Sequence, residues 1–586
     1  MTYRLYFFLA CFSLAMISGA AFSHDTNASR PHIRRSGDNL AENPSMATRR
    51  HWHLLGNASY DANVSRSADG SGSVRLMTPY YDDSKHAGIV ASRILPVESE
   101  KKYTLGFFAK TENGPTLFSA YVGIYDANRK FIRNMPGIRS GTSEDGQWEE
   151  CAVPMFLPKE AKFIQIKIVK MADTRPGGKV WVDEVYFGEG IGLARPPSEK
   201  RAFNGEHVRV DRLGNFEIKS RGRWIPFFPL CIYSDNTRDW SVYSKQGWNT
   251  VIWTASADYV QRAKDAVSRF NPDGMMAGFQ ISQYTFPSGW AYNDLDHLRR
   301  ELHKIFDRGL GDHLLMYYWD NENNYGEWDV PVAVIHTVKS VDVDSHGKRL
   351  HPIYALQGNY GIARVHAARG LVDVSGVYVG GGAHAAGGAG PGDLDGLFVL
   401  DRLEGQVSPA AFAQFNGVDG AGDMRLRLYN SIILGAKAIG YWRDCFHEKN
   451  VKAFPQVGPV DKKPWWSDFP NLRREVDQLL PIIRQPHWTS WEVRTDSRGK
   501  VRVGSRELDG HCYLILVNQT TRRQQFTVTI SGLMDRPTAV HDYFSGREVS
   551  AVTDGSFCMT LPGIGVGRGT MVLRVLTTGE NRGQTK

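Results

Sequence analysis

Between residues 225 and 442, eight short apolar runs alternate with longer stretches whose apolar residues recur at helical spacing, and this alternation constrains the fold more than any other feature. The runs cover 225–233, 250–253, 278–282, 314–319, 352–356, 374–379, 411–415 and 438–442. Helical spacing marks 259–269, 295–308, 424–434 and 472–480. Runs this short, with no amphipathic period of their own, suit strands buried on both faces, which is the condition of a parallel sheet wrapped by helices. Eight such strands predict a (β/α)8 TIM barrel spanning 203–488. Chemistry in that fold collects beyond the carboxyl ends of the strands.

The fourth run sharpens that expectation. Leu314-Leu315-Met316-Tyr317-Tyr318-Trp319 passes directly into Asp320-Asn321-Glu322-Asn323. The apolar part can be buried, whereas the acids and amides cannot be buried unpaired. The strand therefore delivers carboxylates to a site. Strand alternation puts Asp320 and Glu322 on the same side. An acidic loop that merely caps the next helix is the plainer alternative.

The flanking chain has a different texture. Residues 1–23 carry Arg4, an apolar run and small residues ending at Ser23, the pattern of a secretory signal peptide, so the mature chain is expected to be exported to the periplasm or beyond the cell. The apolar run is too short to span a bilayer. Residues 24–50 read as a polar linker. From 51 to 190, short alternating strands separated by turn residues predict a β-sandwich, and 191–202, with Pro196-Pro197, a linker. Short strands return over 489–577, a second and smaller β-sandwich, followed by a tail at 578–586.

Composition excludes several classes. A hydrophobic fraction of 42% is ordinary for globular protein, and the net charge of +8 comes from basic residues scattered among acidic ones. No basic-aromatic stripe points to nucleic acid, although attraction to an acidic polysaccharide fits the charge. Beyond the signal peptide, Cys151, Cys231, Cys445, Cys512 and Cys558 show no paired zinc spacing, and no other metal-ligand motif occurs. Cys512 and Cys558 share the late β-rich region, where either a disulfide or two buried thiols would fit. No Gly-x-Ser-x-Gly elbow, phosphate-binding Gly-rich loop or His-Glu-x-x-His pattern is present, which sets esterase, NTPase and zinc-protease readings aside.

Two resemblances add to this reading. Trp52, Ser71 to Leu76, Tyr103-Thr104-Leu105, Gly146-Gln147-Trp148 and Val180 to Val185 follow one another as in the jelly-roll carbohydrate-binding modules of polysaccharide-degrading enzymes. That resemblance implies a sugar-binding role, with Trp52, Tyr80, Tyr81 and Trp148 as stacking candidates against a core-packing alternative. It also makes Asp183 a candidate for a structural calcium site. Asn321-Glu322 after a fourth strand resembles the Asn-Glu pair of the clan A glycoside hydrolases, supported by 227–233, 247–251 and 434–442. The resemblance implies glycoside hydrolysis with Glu322 as general acid/base and Asn321 hydrogen-bonding the sugar. No cofactor is required.

The second carboxylate is where the chain departs from that family. Clan A enzymes carry a nucleophilic Glu at the end of the seventh strand, and Ala411-Phe412-Ala413-Gln414-Phe415-Asn416 offers Gln414, an amide. Asp320, as a partner that orients an acetamido group, and Asp444, beyond the eighth strand, remain as the second catalytic candidates. Asp423 stands where a helix cap would also stand. Tyr233, Trp253, Gln357, Tyr378, Gln414, Trp442 and Arg443 lie at or just beyond strand ends and form the substrate-binding candidates, with His384 and Asn416 beside them. The expected partner is a polysaccharide or oligosaccharide substrate. A degenerate barrel that binds polysaccharide without cleaving it is the alternative.

Overall fold

The computed structural model describes residues 39–42, 46, 50–66, 71–77, 88–99, 101–112, 118–140, 142, 145–170, 178–189, 202–233, 239–254, 256–281, 295–321, 329–357, 371–377, 408–409, 423–441, 464–486, 489–497, 500–563 and 569–578. Among them the chain forms an N-terminal β-sandwich, a central parallel sheet with helices, and a C-terminal pair of antiparallel sheets.

In the N-terminal sandwich, one sheet runs in the order Trp52–Leu55, Ile89–Ser92, Phe163–Lys170, Phe118–Tyr125 and Phe131–Ser140, with Leu95–Pro96 beside Phe163–Lys170. The facing sheet runs Ala58–Asp61, Ser73–Met77, Lys179–Glu189, Lys102–Glu112 and Glu149–Phe156. Strict alternation explains the layering: Ile164, Ile166 and Ile168 are buried between the sheets, while Phe163, Gln165, Lys167 and Val169 face out half-buried. Trp52 belongs to this core at 5% exposure, its indole N–H donating to the Glu42 carbonyl, so it packs rather than offering a face to sugars.

Residues 203–227 depart from the expected boundaries of the barrel. Strands Phe203–Asn204, Val208–Val210, Phe216–Ser220 and Arg223–Phe227 form their own antiparallel sheet. The apolar run at 225–233 is therefore two strands in two sheets, divided around Pro229, which has no N–H to give a ladder.

The central sheet contains eight parallel strands, in chain order Leu230–Tyr233, Thr250–Thr254, Met276–Gln280, Leu314–Asn321, Ile353–Gln357, Val374–Val377, Ser408–Pro409 and Ile439–Tyr441. Each pairs with its sequence neighbour through the seventh, and the eighth pairs with the first. Among the described residues no ladder joins the seventh to the eighth. The seventh strand lies just before the run at 411–415 that the sequence suggests. Helices Ala257–Asp265, Leu295–Asp307, Asp329–Val341, Asp423–Ile433 and Phe469–Ile483 accompany the strands.

Alternation gives the sheet two apolar faces. Ile232, Val251, Ala277, Phe279, Tyr317, Trp319, Ile353 and Ile439 pack against the helices. Cys231, Tyr233, Ile252, Met316, Tyr318, Tyr354, Leu356 and Val374 form an inner cluster, which Phe203, Val208, Val210, Phe216 and Ile218 of the antiparallel sheet complete. That sheet sits at the amino ends of the strands: His207 N–H donates to Leu350 O just ahead of the fifth strand, and the His207 ring bonds Asp312 at 2.6 Å just ahead of the fourth.

The C-terminal sheets run Glu492–Thr495, Gln524–Ser531, Ser556–Leu561 and Val501–Leu508, His511–Asn518, Thr570–Thr577, Pro537–Asp542, Glu548–Ala551. Tyr513, Ile515, Val517 and Val572 join the apolar cluster of the helices, so this unit is fused to the central one by shared core. Cys512 is a buried free thiol and Cys558 an exposed one, on different sheets. Among the described residues no helix is long and apolar enough to cross a membrane.

Candidate functional site

With the amino ends of the parallel strands stoppered by the antiparallel sheet, the carboxyl ends are left for a site. The interior just below them is aromatic. Tyr233 closes the first strand at 4% exposure, and its ring meets that of Tyr318 edge-on at 5.4 Å. Tyr318 in turn stacks on Tyr354 of the fifth strand at 5.5 Å and 17°. Of these three buried rings the sequence singles out only Tyr233. Tyr318 and Tyr354 lie in runs that read as strands, but the face of Tyr318 follows a register shift near Leu314 to Met316, which local sequence does not announce, and Tyr354 stands opposite it in register.

Directly beyond Trp319, the fourth and fifth strands carry three candidates to the carboxyl edge in two successive rows. Asp320 is in register with Leu356, and Asn321 with Gln357. Parallel neighbours are about 4.8 Å apart, so the backbone carries two amide positions side by side at the carboxyl edge, with an acidic position one row below them. Trp253 lies in the second strand opposite Phe279. Glu322, Tyr378, Gln414, Trp442, Arg443 and Asp444 lie outside the described residues, as do His384, Asn416, Tyr80 and Tyr81. Asp423 is the first residue of helix Asp423–Ile433.

A second polar cluster lies at the opposite end. His351 is fully buried; its Nδ1 meets Asp342 Oδ1 at 2.7 Å and its Nε2 meets the Gly311 carbonyl at 3.0 Å. Both ring nitrogens thus have an oxygen within hydrogen-bond distance, which fixes the plane of the ring. Tyr317 donates to the same Asp342 oxygen at 2.9 Å, and burial, then the Asp342 charge, pushes its phenol well above the usual range. His207 stacks on His351 at 5.0 Å, and its hydrogen bond holds the Asp312 carboxyl low. These donors and acceptors join strands to the stopper, which makes the cluster a brace.

The calcium candidate is similarly engaged. Asp183 accepts backbone hydrogen bonds from Arg66 and Glu184, both at 2.8 Å, while the Arg66 guanidinium pairs with Glu184. Its carboxylate ties a turn to a strand, and among the described residues no three acidic, His or Cys side chains converge as a metal site would need.

No protein-family model matches the chain, and no curated protein matches it. Solved structures share parts of its shape. The xylan-binding CBM22-1 domain of Xyn10C from Paenibacillus barcinonensis is 12% identical over 27% of this chain and 99% of its own, with a TM-score of 0.21. AmyP in complex with maltose is 11% identical over 60% of this chain and 97% of its own, at 0.39. The arabinose-bound MgGH51 α-L-arabinofuranosidase is 9% identical over 94% of this chain and 96% of its own, at 0.31. Scores this low assign no activity.

Proposed function

We propose that the chain is an exported glycoside hydrolase, that its parallel sheet closes into a (β/α)8 barrel through a contact of the seventh and eighth strands, and that Glu322 is the general acid. One observation supports this above the others: the fourth of eight parallel strands carries Asp320 and Asn321 to its carboxyl edge, in register with Leu356 and Gln357, directly ahead of Glu322. Glycoside hydrolysis needs a carboxyl group to protonate the leaving oxygen and a second acidic group at the oxocarbenium-like centre. Asp444 is the preferred second group and Asp320 the other candidate. Asn321 and Gln357 offer amides to sugar hydroxyls; Tyr233, Trp253, Tyr378 and Trp442 offer apolar ring surface; Gln414 and Arg443 complete the polar lining. Nothing in the chemistry asks for a metal or organic cofactor. The N-terminal sandwich tethers the enzyme to a long-chain substrate.

The experiment is a reducing-end release screen of the secreted chain over plant, algal and bacterial polysaccharides. Release from one substrate class is the expected result. Binding without release from any of them supports the second reading, a polysaccharide-binding protein with a degenerate barrel, which the amide of Gln414 at the place of a nucleophilic Glu favours.

A further inference from the structure

Three Asn-x-Ser/Thr sequons, with x other than proline, lie among the described residues, and the fold treats them differently. In exported chains the pattern is the acceptor signal for N-linked oligosaccharide, a bulky solvated group that only the surface accommodates. The three are Asn57-Ala58-Ser59, Asn63-Val64-Ser65 and Asn518-Gln519-Thr520. A fourth, Asn27-Ala28-Ser29, lies outside the described residues. A folded chain can accept the sugar only where the Asn amide is in solvent and the chain up to the Ser or Thr is clear of strand ladders.

Asn518 fails the first condition. It is 0% exposed; its Nδ2 donates to Arg522 O at 2.8 Å and Pro562 O at 2.9 Å, and its Oδ1 accepts from the Thr520 hydroxyl at 2.9 Å. Amide and hydroxyl of this sequon are committed inside the fold, and freeing them would leave buried carbonyls unpaired. Asn57 is exposed but fails the second condition. Its carbonyl accepts the Met77 N–H at 3.1 Å, and Ser59 lies in strand Ala58–Asp61 opposite Arg75, whose guanidinium donates to the Ser59 hydroxyl at 3.3 Å. Asn63 meets both conditions. It is exposed in the turn just past that strand, where its N–H donates to Asp61 Oδ1 at 3.1 Å, an Asx turn that fixes the backbone. Among the described residues no ladder includes 62–66, and the chain is next held at Arg66, whose N–H donates to Asp183 Oδ2 at 2.8 Å.

We propose that Asn63 is the acceptor of an N-linked oligosaccharide delivered from a lipid-linked diphosphate donor. Asn63 Nδ2 forms a bond to the anomeric carbon of the sugar, and the bond from that carbon to the diphosphate oxygen breaks. The bonding electrons leave with the lipid diphosphate, and one amide proton passes to a base of the transferase. The site goes beyond glycoside hydrolysis and rests on the reading that the chain is exported. It is tested on the full chain produced in a host whose export compartment carries an N-oligosaccharyltransferase, by peptide mass mapping before and after an amidase that removes N-glycans. The Asn63 peptide should carry a glycan, and the amidase should leave aspartate in its place, while the Asn57 and Asn518 peptides stay bare. Asn63→Gln and Ser65→Ala should each abolish the glycan, and Ser65→Thr, which keeps the hydroxyl, should retain it. Neither position belongs to the core, and near-ultraviolet circular dichroism checks that each variant keeps its fold. A chain that has lost residues 1–23 yet carries a bare Asn63 overturns the site and leaves export standing. A glycan on Asn57 or Asn518 instead of Asn63 overturns the selection by the fold. A chain that keeps residues 1–23 and stays inside the cell overturns export and the modification together.

Discussion

Asn321 and Gln357 are register partners at the carboxyl edge of adjacent parallel strands, the fourth and fifth of the central sheet. The backbone itself fixes the spacing of these two amide positions, one residue beyond Asp320. Gln357→Ala is expected to lower kcat/KM on the true substrate about tenfold, the worth of one to two sugar hydrogen bonds, with the thermal midpoint unchanged. An unaltered kcat/KM removes Gln357 from the site.

The second carboxylate divides the mechanisms. With Asp444 as partner, Asp444→Asn abolishes turnover on sugars lacking an acetamido group, and proton NMR of the first-formed anomer gives the stereochemistry: retention if the carboxyl groups stand about 5–5.5 Å apart, inversion if about 6.5–9.5 Å. With Asp320 as partner, only N-acetylated sugars are cleaved and Asp320→Asn is the damaging change. Full activity of both variants excludes both assignments.

Stability of the central unit depends on a buried ion pair. Arg425 donates to Glu475 at 2.9 Å and Tyr429 donates to the same carboxylate at 2.7 Å, joining helices Asp423–Ile433 and Phe469–Ile483. Glu475→Gln leaves a guanidinium buried at 7% exposure with the exposed Asp468 carboxylate, 3.6 Å away, as its remaining counter-charge, and is expected to cost up to about 3–5 kcal/mol in urea denaturation. A loss below about 1 kcal/mol contradicts the pairing.

Asp61 is expected to make the N-terminal sandwich sensitive to acid. The Trp181 indole N–H donates to its carboxylate at 2.9 Å, and this bond, against the opposing effect of burial, holds its pKa below the ordinary value. A lowered folded-state pKa gives stability that is complete above about pH 4 and is lost as pH falls through the folded value. Asp61→Asn should therefore be less stable at pH 6 and show a shallower decline between about pH 4 and 2. Urea midpoints measured across that range check the sign, and an unchanged slope contradicts it.

The legible part of the fold was the part encoded locally. Apolar runs such as 314–319 and 352–356 fall on strands Leu314–Asn321 and Ile353–Gln357, because burial on both faces leaves a continuous apolar stretch. What composition could not convey was pairing. The run at 225–233 divides between two sheets, and Val208, Val210, Phe216 and Ile218, whose alternation is readable, pack under the inner face of the parallel sheet instead of joining it. Trp52 and Phe131 show the same limit at the surface. Both are aromatic residues on strands of one sheet, yet Trp52 is core and Phe131 is exposed, since facing is set by tertiary packing. At the site, Tyr233 was legible as a strand end, whereas Tyr318 and Tyr354 needed the observed register.

The most direct measurement is the turnover of Glu322→Gln beside the wild-type chain on the substrate found by the release screen. An amide keeps the shape of the carboxyl group but cannot give up a proton. Turnover should fall by about 10²-fold or more, with circular dichroism and substrate binding retained. Near-normal turnover in a folded Glu322→Gln variant contradicts the assignment of Glu322 as general acid.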